Sequence, residues 1–337
     1  MADGLFDPAI SRRRLIGASA AAVPVLALAP ARSETLPVSD PAAQARAALK
    51  DATGTKLVIL GSGAGPTPGL SRRMTSHLIL SNGDAYVLDC GLGVTDQFAR
   101  TGVRFAQLKA IFITHHHPDH NIEYGPLLVI GWVKGMPNSV RAYGPPPLRQ
   151  MTRDFLRAYG TTIRFWAEDF KRPPLTAIAV REVSAAGPVM RDRNVAVSSV
   201  IVHHPPVTPA LGYRFDFKDR AIAFSGDTTP LEAVARLAKG ADVLVHEAMA
   251  VPEIDDYVRD VLAPGQPDRA AIIMAHMHAD HSPVEDVGRI AAEAGVKTLV
   301  LSHLAPGIDS IADDVWRERA AKAFKGEIVV AHDMTVV

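Results

Sequence analysis

The chain has 337 residues, 47% of them hydrophobic and 21% charged, which excludes a disordered or collagen-like polymer and supplies a large core. Thirty-six basic residues balance 36 acidic ones, so no bulk positive charge announces a nucleic-acid partner and no acidic tail is evident. Cys90 is the single cysteine, which excludes an intrachain disulfide and any zinc site built from several thiolates.

From the N-terminus, Ser11-Arg12-Arg13-Arg14-Leu15-Ile16 opens an apolar stretch that runs to Leu28. It reads as a twin-arginine export signal, with small-residue cleavage points at Ala27-Leu28-Ala29 and Ala29-Pro30-Ala31. The stretch is Ala-rich and shorter than the ~18 apolar residues of a spanning helix. Residues 1–33 are therefore expected to be a removable signal peptide, leaving a periplasmic protein with no membrane attachment. Residues 34–52 are polar and rich in Ala and Pro and read as a linker; residues 53–337 read as one catalytic domain.

Beyond the linker, short apolar runs alternate with helical patterns, as in a layered α/β fold. Lys56–Leu60 reads as a strand stopped by Gly61-Ser62-Gly63-Ala64-Gly65-Pro66. His77–Leu80 and Ala85–Leu88 flank Asn82-Gly83, a strong hairpin signal. Ala110–Ile113 is predicted as a buried strand, Val140–Tyr143 as another, and Leu148–Tyr159 as a helix. The stretch from Trp132 to Pro174 carries Arg153, Arg157, Phe165 and Trp166, and reads as solvated helix packed on the sheet, with a substrate-binding arm as the alternative. Val195–Val202 is predicted as a strand, and Tyr213–Phe217 with Ala221–Phe224 as a hairpin. Leu231, Val234 and Leu237 share a helical face closed by Gly240. Ser282-Pro283-Val284-Glu285 has the spacing of a capping box, and the helix it opens is closed by Gly295 before a strand over Lys297–Leu301.

The chemistry concentrates in Thr114-His115-His116-His117-Pro118-Asp119-His120, where six positions hold four histidines and an aspartate. Core packing does not call for such residues. Imidazole and carboxylate are the ligands that a borderline cation such as Zn²⁺ prefers. In a tight turn, His115 and His117 can face one ion while Asp119 and His120 face a second, about 3.5–4 Å away in a dinuclear hydrolytic centre. Five apolar runs each lead into such residues: His115; His203 and His204; Asp227; His246; and His303. In layered α/β folds, ligands gather on the loops at one end of the strands.

The H-x-H-x-D-H pattern resembles the metallo-β-lactamase superfamily, and the resemblance runs from about Lys56 to the C-terminus. Ser225-Gly226-Asp227-Thr228, Val243-Leu244-Val245-His246-Glu247-Ala248 and Leu299-Val300-Leu301-Ser302-His303 resemble the ribonuclease Z and arylsulfatase-like branch. The resemblance implies a four-layer αββα sandwich with a dinuclear site at one edge of its sheets. By motif, His115, His117 and His204 would hold one metal; Asp119, His120 and His303 the other; and Asp227 would bridge them. His204 is chosen over His203 because it directly precedes Pro205-Pro206-Val207. Asp119 would also orient the reactive water, and His246 would protonate the leaving group. Asp89, in Leu88-Asp89-Cys90-Gly91, matches an acid that orients a ligand histidine. Within Ala275-His276-Met277-His278-Ala279-Asp280-His281, His281 is expected at the pocket. Trp132, Tyr257, Met277 and His278 are expected on substrate-selecting loops.

The implied cofactors are two Zn²⁺ ions, with Mn²⁺ or iron as alternatives. The function read from this set is a hydrolase that activates a water between the ions to cleave a phosphoester, sulfate ester or similar small ester. Lactone or β-lactam ring opening, or a ribonuclease Z-like phosphodiesterase, stands as the alternative. Balanced charge, export and Leu304-Ala305-Pro306-Gly307 after His303 count against nucleic acid as the partner. A homodimer is compatible with this branch.

Overall fold

A computed structural model describes residues 40–50, 53–68, 71–309 and 311–337; the expected signal peptide lies outside these residues. Among the described residues, thirteen strands form two sheets. The first carries β1 (Thr55–Gly61), β2 (Ser76–Ser81), β3 (Asp84–Leu88), β4 (Leu108–Phe112), β5 (Arg141–Gly144) and β6 (Ala179–Glu182), side by side in chain order. The second carries β7 (Gly187–Arg191), β8 (Val195–His204), β9 (Val207–Phe217), β10 (Ala221–Phe224), β11 (Val243–Met249), β12 (Thr298–Ala305) and β13 (Glu327–Val330), again in sequence. The first three strands of the first sheet and the first four of the second pair antiparallel, and the remaining neighbours, joined by connections that carry helices, pair parallel.

The helices are α1 (Pro41–Lys50), α2 (Val94–Arg100), α3 (Pro118–Asn121), α4 (Tyr124–Val133), α5 (Leu148–Ala158), α6 (Gly160–Phe170), α7 (Glu232–Ala238), α8 (Glu253–Tyr257), α9 (Pro267–Asp280), α10 (Val284–Ala294) and α11 (Asp313–Ala320). None among the described residues is long and apolar enough to cross a membrane.

Strand alternation explains the four layers. Leu57 and Ile59 of β1 join Tyr86, Phe112, Phe215, Phe224 and Val245 between the sheets. Val58 and Leu60 instead face helices α1, α2, α4, α5 and α6 on the outside of the first sheet. In β11, Val243 and Val245 point between the sheets, whereas Leu244 and Ala248 meet α7, α10 and α11. Strands covered on both faces read as continuous apolar runs, which is how these were found in the sequence. The αββα sandwich is therefore the observed fold.

The predicted hairpin is present: His77 to Ser81 pair antiparallel with Leu88 to Asp84. Its two turn residues, Asn82 and Gly83, have φ of +50° and +81°, the left-handed values that a two-residue turn demands. Other expectations require correction. The segment read as a linker contains α1, whose Ala42, Ala45 and Leu49 are buried in the outer core of the first sheet. Small alanines gave the stretch a linker-like composition, yet they are what lets the helix lie close. The capping box does not form. Ser282 Oγ donates to Thr228 O at 2.6 Å, and α10 begins at Val284 with no side-chain cap. Trp132 is fully buried in the core and faces no substrate loop.

Candidate metal centre

Parallel strands deliver the site residues to one edge of the sandwich. β4 ends at Phe112, and Ile113-Thr114 lead into His115, His116 and His117 before α3. Asp89, just past β3, is buried and fixes this turn. Its Oδ1 accepts from Thr114 N at 2.8 Å and its Oδ2 accepts from His120 Nδ1 at 2.9 Å. With Nδ1–H committed to Asp89, His120 presents Nε2 to the site. Asp89 thereby sets the orientation of the His120 ring. Both Asp89 and His303 have positive φ, +61° and +45°. Left-handed backbone at residues other than glycine is costly and concentrates at functional sites.

β8 ends at His204, which is buried, whereas His203 is exposed. His204 Nδ1 donates to Asp280 O at 3.0 Å, and Nε2 lies 3.0 Å from His117 Nδ1. β10 leads to Asp227, and β12 carries His303. His116 turns away, bonded to Pro145 O and Asn121.

Two groups of potential ligand atoms converge, each within 4.8 Å: His115, His117 and His204; and Asp119, His120, Asp227 and His303. Asp227 Oδ2 stands between the groups. It lies 3.1 Å from Nε2 of both His120 and His303, 3.8 Å from His115 Nε2 and 3.9 Å from His204 Nε2. One oxygen facing four imidazoles from both groups has the position of a bridge.

These residues fit a pair of divalent cations. His115 Nε2 is buried at the centre without any hydrogen-bond partner, a cost that a ligand would remove. Burial, together with neighbouring imidazoles, pushes the His115 pKa well below its usual value. Burial lowers His117 and His204 as well, so this group offers neutral nitrogen lone pairs. In the other group burial opposes charge, but mutual attraction wins. His120 beside Asp227, Asp119 and Asp89 is raised well above normal, and His303 beside Asp227 and Asp119 is raised to about 10. Asp119 and Asp227 are held below the usual carboxylate range by His120 and His303. The carboxylates of this group thus favour positive charge beside them, as a cation site requires.

A cavity of about 290 Å³ opens over the cluster, lined by His117, Asp119, Asp227, His281 and His303 among others. A larger one, of about 750 Å³, lies at α5 and α6 beside Arg153, Arg157 and Arg164 and contains none of the ligand residues. Tyr257 and Met277 line the smaller cavity, though from helices α8 and α9 and not from loops, whereas His278 does not line it and is instead bonded to Asp255 at 2.8 Å.

His246 also departs from expectation. It is buried on β11, on the strand face of Leu244 and Ala248 that meets the helices. Its Nδ1 donates to Glu247 O at 2.7 Å, and it does not line the cavity. The next residue, Glu247, shares the inner face with Val245. Its Oε2 accepts from His281 Nδ1 at 3.0 Å and its Oε1 from Thr228 N at 2.8 Å. Burial opposes a charge on His281, but Glu247 raises its pKa above the usual value. Glu247 was not singled out from the sequence, and because every residue of β11 is buried the sequence carries no signal for it.

Residues 85–304 match the family described as the beta-lactamase superfamily domain. The chain belongs to the metallo-β-lactamase superfamily. A curated relative, ribonuclease Z of Mycobacterium bovis (strain BCG / Pasteur 1173P2), is 32% identical over 285 residues, covering 83% of this chain and 96% of that protein. Among solved structures, the metallo-β-lactamase fold protein YhfI from Bacillus subtilis superposes with a TM-score of 0.61 at 19% identity, covering 84% of this chain and 98% of that one. The short form of human tRNase Z superposes with a TM-score of 0.59 at 20% identity and the same coverage. This superfamily member is a hydrolase by fold, with a site suited to divalent metals. Its relatives overturn the sequence reading that set nucleic acid aside in favour of a small ester, since they are named as ribonucleases. Net charge misled because it sums the whole chain. Residues 148–172 alone hold six basic and three acidic side chains.

Proposed function

We propose that the protein is a metal-dependent phosphodiesterase that hydrolyses RNA, as its ribonuclease Z relatives are named to do, using two zinc ions held by His115, His117 and His204 and by Asp119, His120 and His303, with Asp227 between them. The observation that carries the proposal is the position of Asp227 Oδ2 within 3.9 Å of four ligand imidazoles at the floor of a cavity. When bound by these residues, such a pair of ions would lower the pKa of water towards ~7 and would offset negative charge on a phosphodiester.

The protein's own groups do the rest. Asp119 Oδ2, fixed by the Gly65 N–H at 2.9 Å, orients the attacking water and accepts a hydrogen bond from it. Glu247 holds the His281 imidazolium through Nδ1, which leaves Nε2–H to protonate the departing ribose oxygen. This assigns to His281 the acid role that the sequence pointed to in His246. The basic α5–α6 region, with Phe165 and Trp166 exposed, supports contact with an RNA backbone and its bases.

The test is incubation of zinc-loaded protein with labelled RNA hairpins bearing a single-stranded 3′ extension. A defined cut is expected. Asp119→Ala should retain the fold by circular dichroism and lose most turnover, at least a hundredfold. Absence of cleavage by metal-replete wild type, or full activity in that variant, overturns the proposal.

A further inference from the structure

The wall of the reactive cavity has a chemistry of its own. β11 is followed by α8, a π-helical turn over Val258–Leu262, and α9, which pack around a small separate core. Their Ile254, Tyr257, Ile273 and Met277 face the cavity, opposite Pro306 and Ile308. Among the described residues lining it, none is Lys or Arg, although the chain has 36 of them. A second phosphate entering here would meet no fixed cation and would lie near the carboxylates of Asp119 and Asp227. A neutral group with apolar faces fits better. The volume of about 290 Å³ is just below the roughly 300–1,000 Å³ of small-molecule sites, which suits one nucleoside unit and nothing larger.

Tyr257 supplies the second observation. Tyr257 is only partly buried at the cavity wall, and among the described residues its ring has no aromatic partner, which leaves it available to stack. Beside it, His276 is held through Nδ1 by the buried carboxylate of Asp280, which leaves Nε2 at the rim for a polar edge. Aromatic ring, soft Met277 sulfur and rim imidazole together match a flat heterocycle with apolar faces and a polar periphery.

Resting on the ribonuclease reading, we infer that this wall is a nucleobase subsite, in which Tyr257 and Met277 grip the base of a nucleotide flanking the scissile phosphodiester. Base–aromatic stacking is worth about 1–3 kcal/mol per base, so losing it should cost on the order of tenfold in kcat/KM. The experiment pairs substrate and protein changes. Hairpin RNAs with an abasic residue 5′ or 3′ of the cut are compared with the intact RNA, in wild type, Tyr257→Ala, Tyr257→Phe and Met277→Ala. Tyr257→Ala and Met277→Ala should slow the intact RNA about tenfold yet scarcely affect one abasic RNA, while Tyr257→Phe keeps the rate. Equal losses on intact and abasic RNA, or no loss on either, overturn the subsite alone. An intact RNA left uncut by wild type overturns the ribonuclease reading and the subsite with it. Zinc content and circular dichroism, unchanged across the variants, exclude misfolding as the cause.

Discussion

At the scale of single residues, the site depends on close approaches that leave no spare volume. Gly65 donates its N–H to Asp119 Oδ2 at 2.9 Å, and a Cβ at position 65 would lie 2.2 Å from Asp119 Cβ. Gly65→Ala is therefore expected to displace Asp119 and cut turnover by tenfold or more. Because the strain is local, the melting temperature should move by only a few degrees; parallel activity and calorimetry check this. His77 gives a pH prediction. It is buried against Phe224 and bonded to Ser302 Oγ at 3.3 Å, and burial lowers its pKa to about 3. The unfolded chain takes up this proton near pH 6.5 and the folded chain does not. The contribution is complete above pH 6.5 and is lost as pH falls towards 3. Urea midpoints should fall less steeply between pH 7 and 4 in His77→Gln than in wild type; parallel slopes would show that His77 is not responsible.

At the scale of elements, the site is an edge property of parallel strands. β4, β8, β10 and β12 each end in or near a ligand, and the helices that cover the outer faces set where those ends stand. α10 and α11 pack through Gly288, where a Cβ would sit 2.2 Å from Ala320 O. Backbone cannot yield there as a side-chain tip can. Gly288→Ala should destabilise the protein by about 1–3 kcal/mol through overpacking, seen as a lower denaturant midpoint. Zinc content of the surviving folded fraction should be unchanged, because the helix pair lies behind the second sheet, on the face away from Asp227.

At the scale of the whole molecule, cations held at this cluster would tie the two sheets together. His115, His117, Asp119 and His120 come from the first sheet's edge, and His204, Asp227 and His303 from the second. Cations bound by both halves stabilise the folded state by mass action. Chelation should therefore abolish turnover and lower the melting temperature, and zinc should restore both. Elemental analysis should return two metals per chain; fewer than one in active protein contradicts the dinuclear reading.

The sequence by itself determined the layered fold and the 115–120 cluster, and it pointed to the candidate ligands on later strands that the fold brings to that cluster, because buried strands read as apolar runs and clustered histidines have no packing purpose. Only the tertiary structure decided which way neighbouring residues face. β11 is covered on both sides and every residue in it is buried, so no alternation of polarity distinguishes His246 from Glu247. Packing alone turned His246 to the helices and brought Glu247 to His281, 34 residues away. The same holds for charge: a sum of zero was legible at once, but the concentration of arginines on α5 and α6 and their absence among the described residues lining the reactive cavity are properties of positions in space.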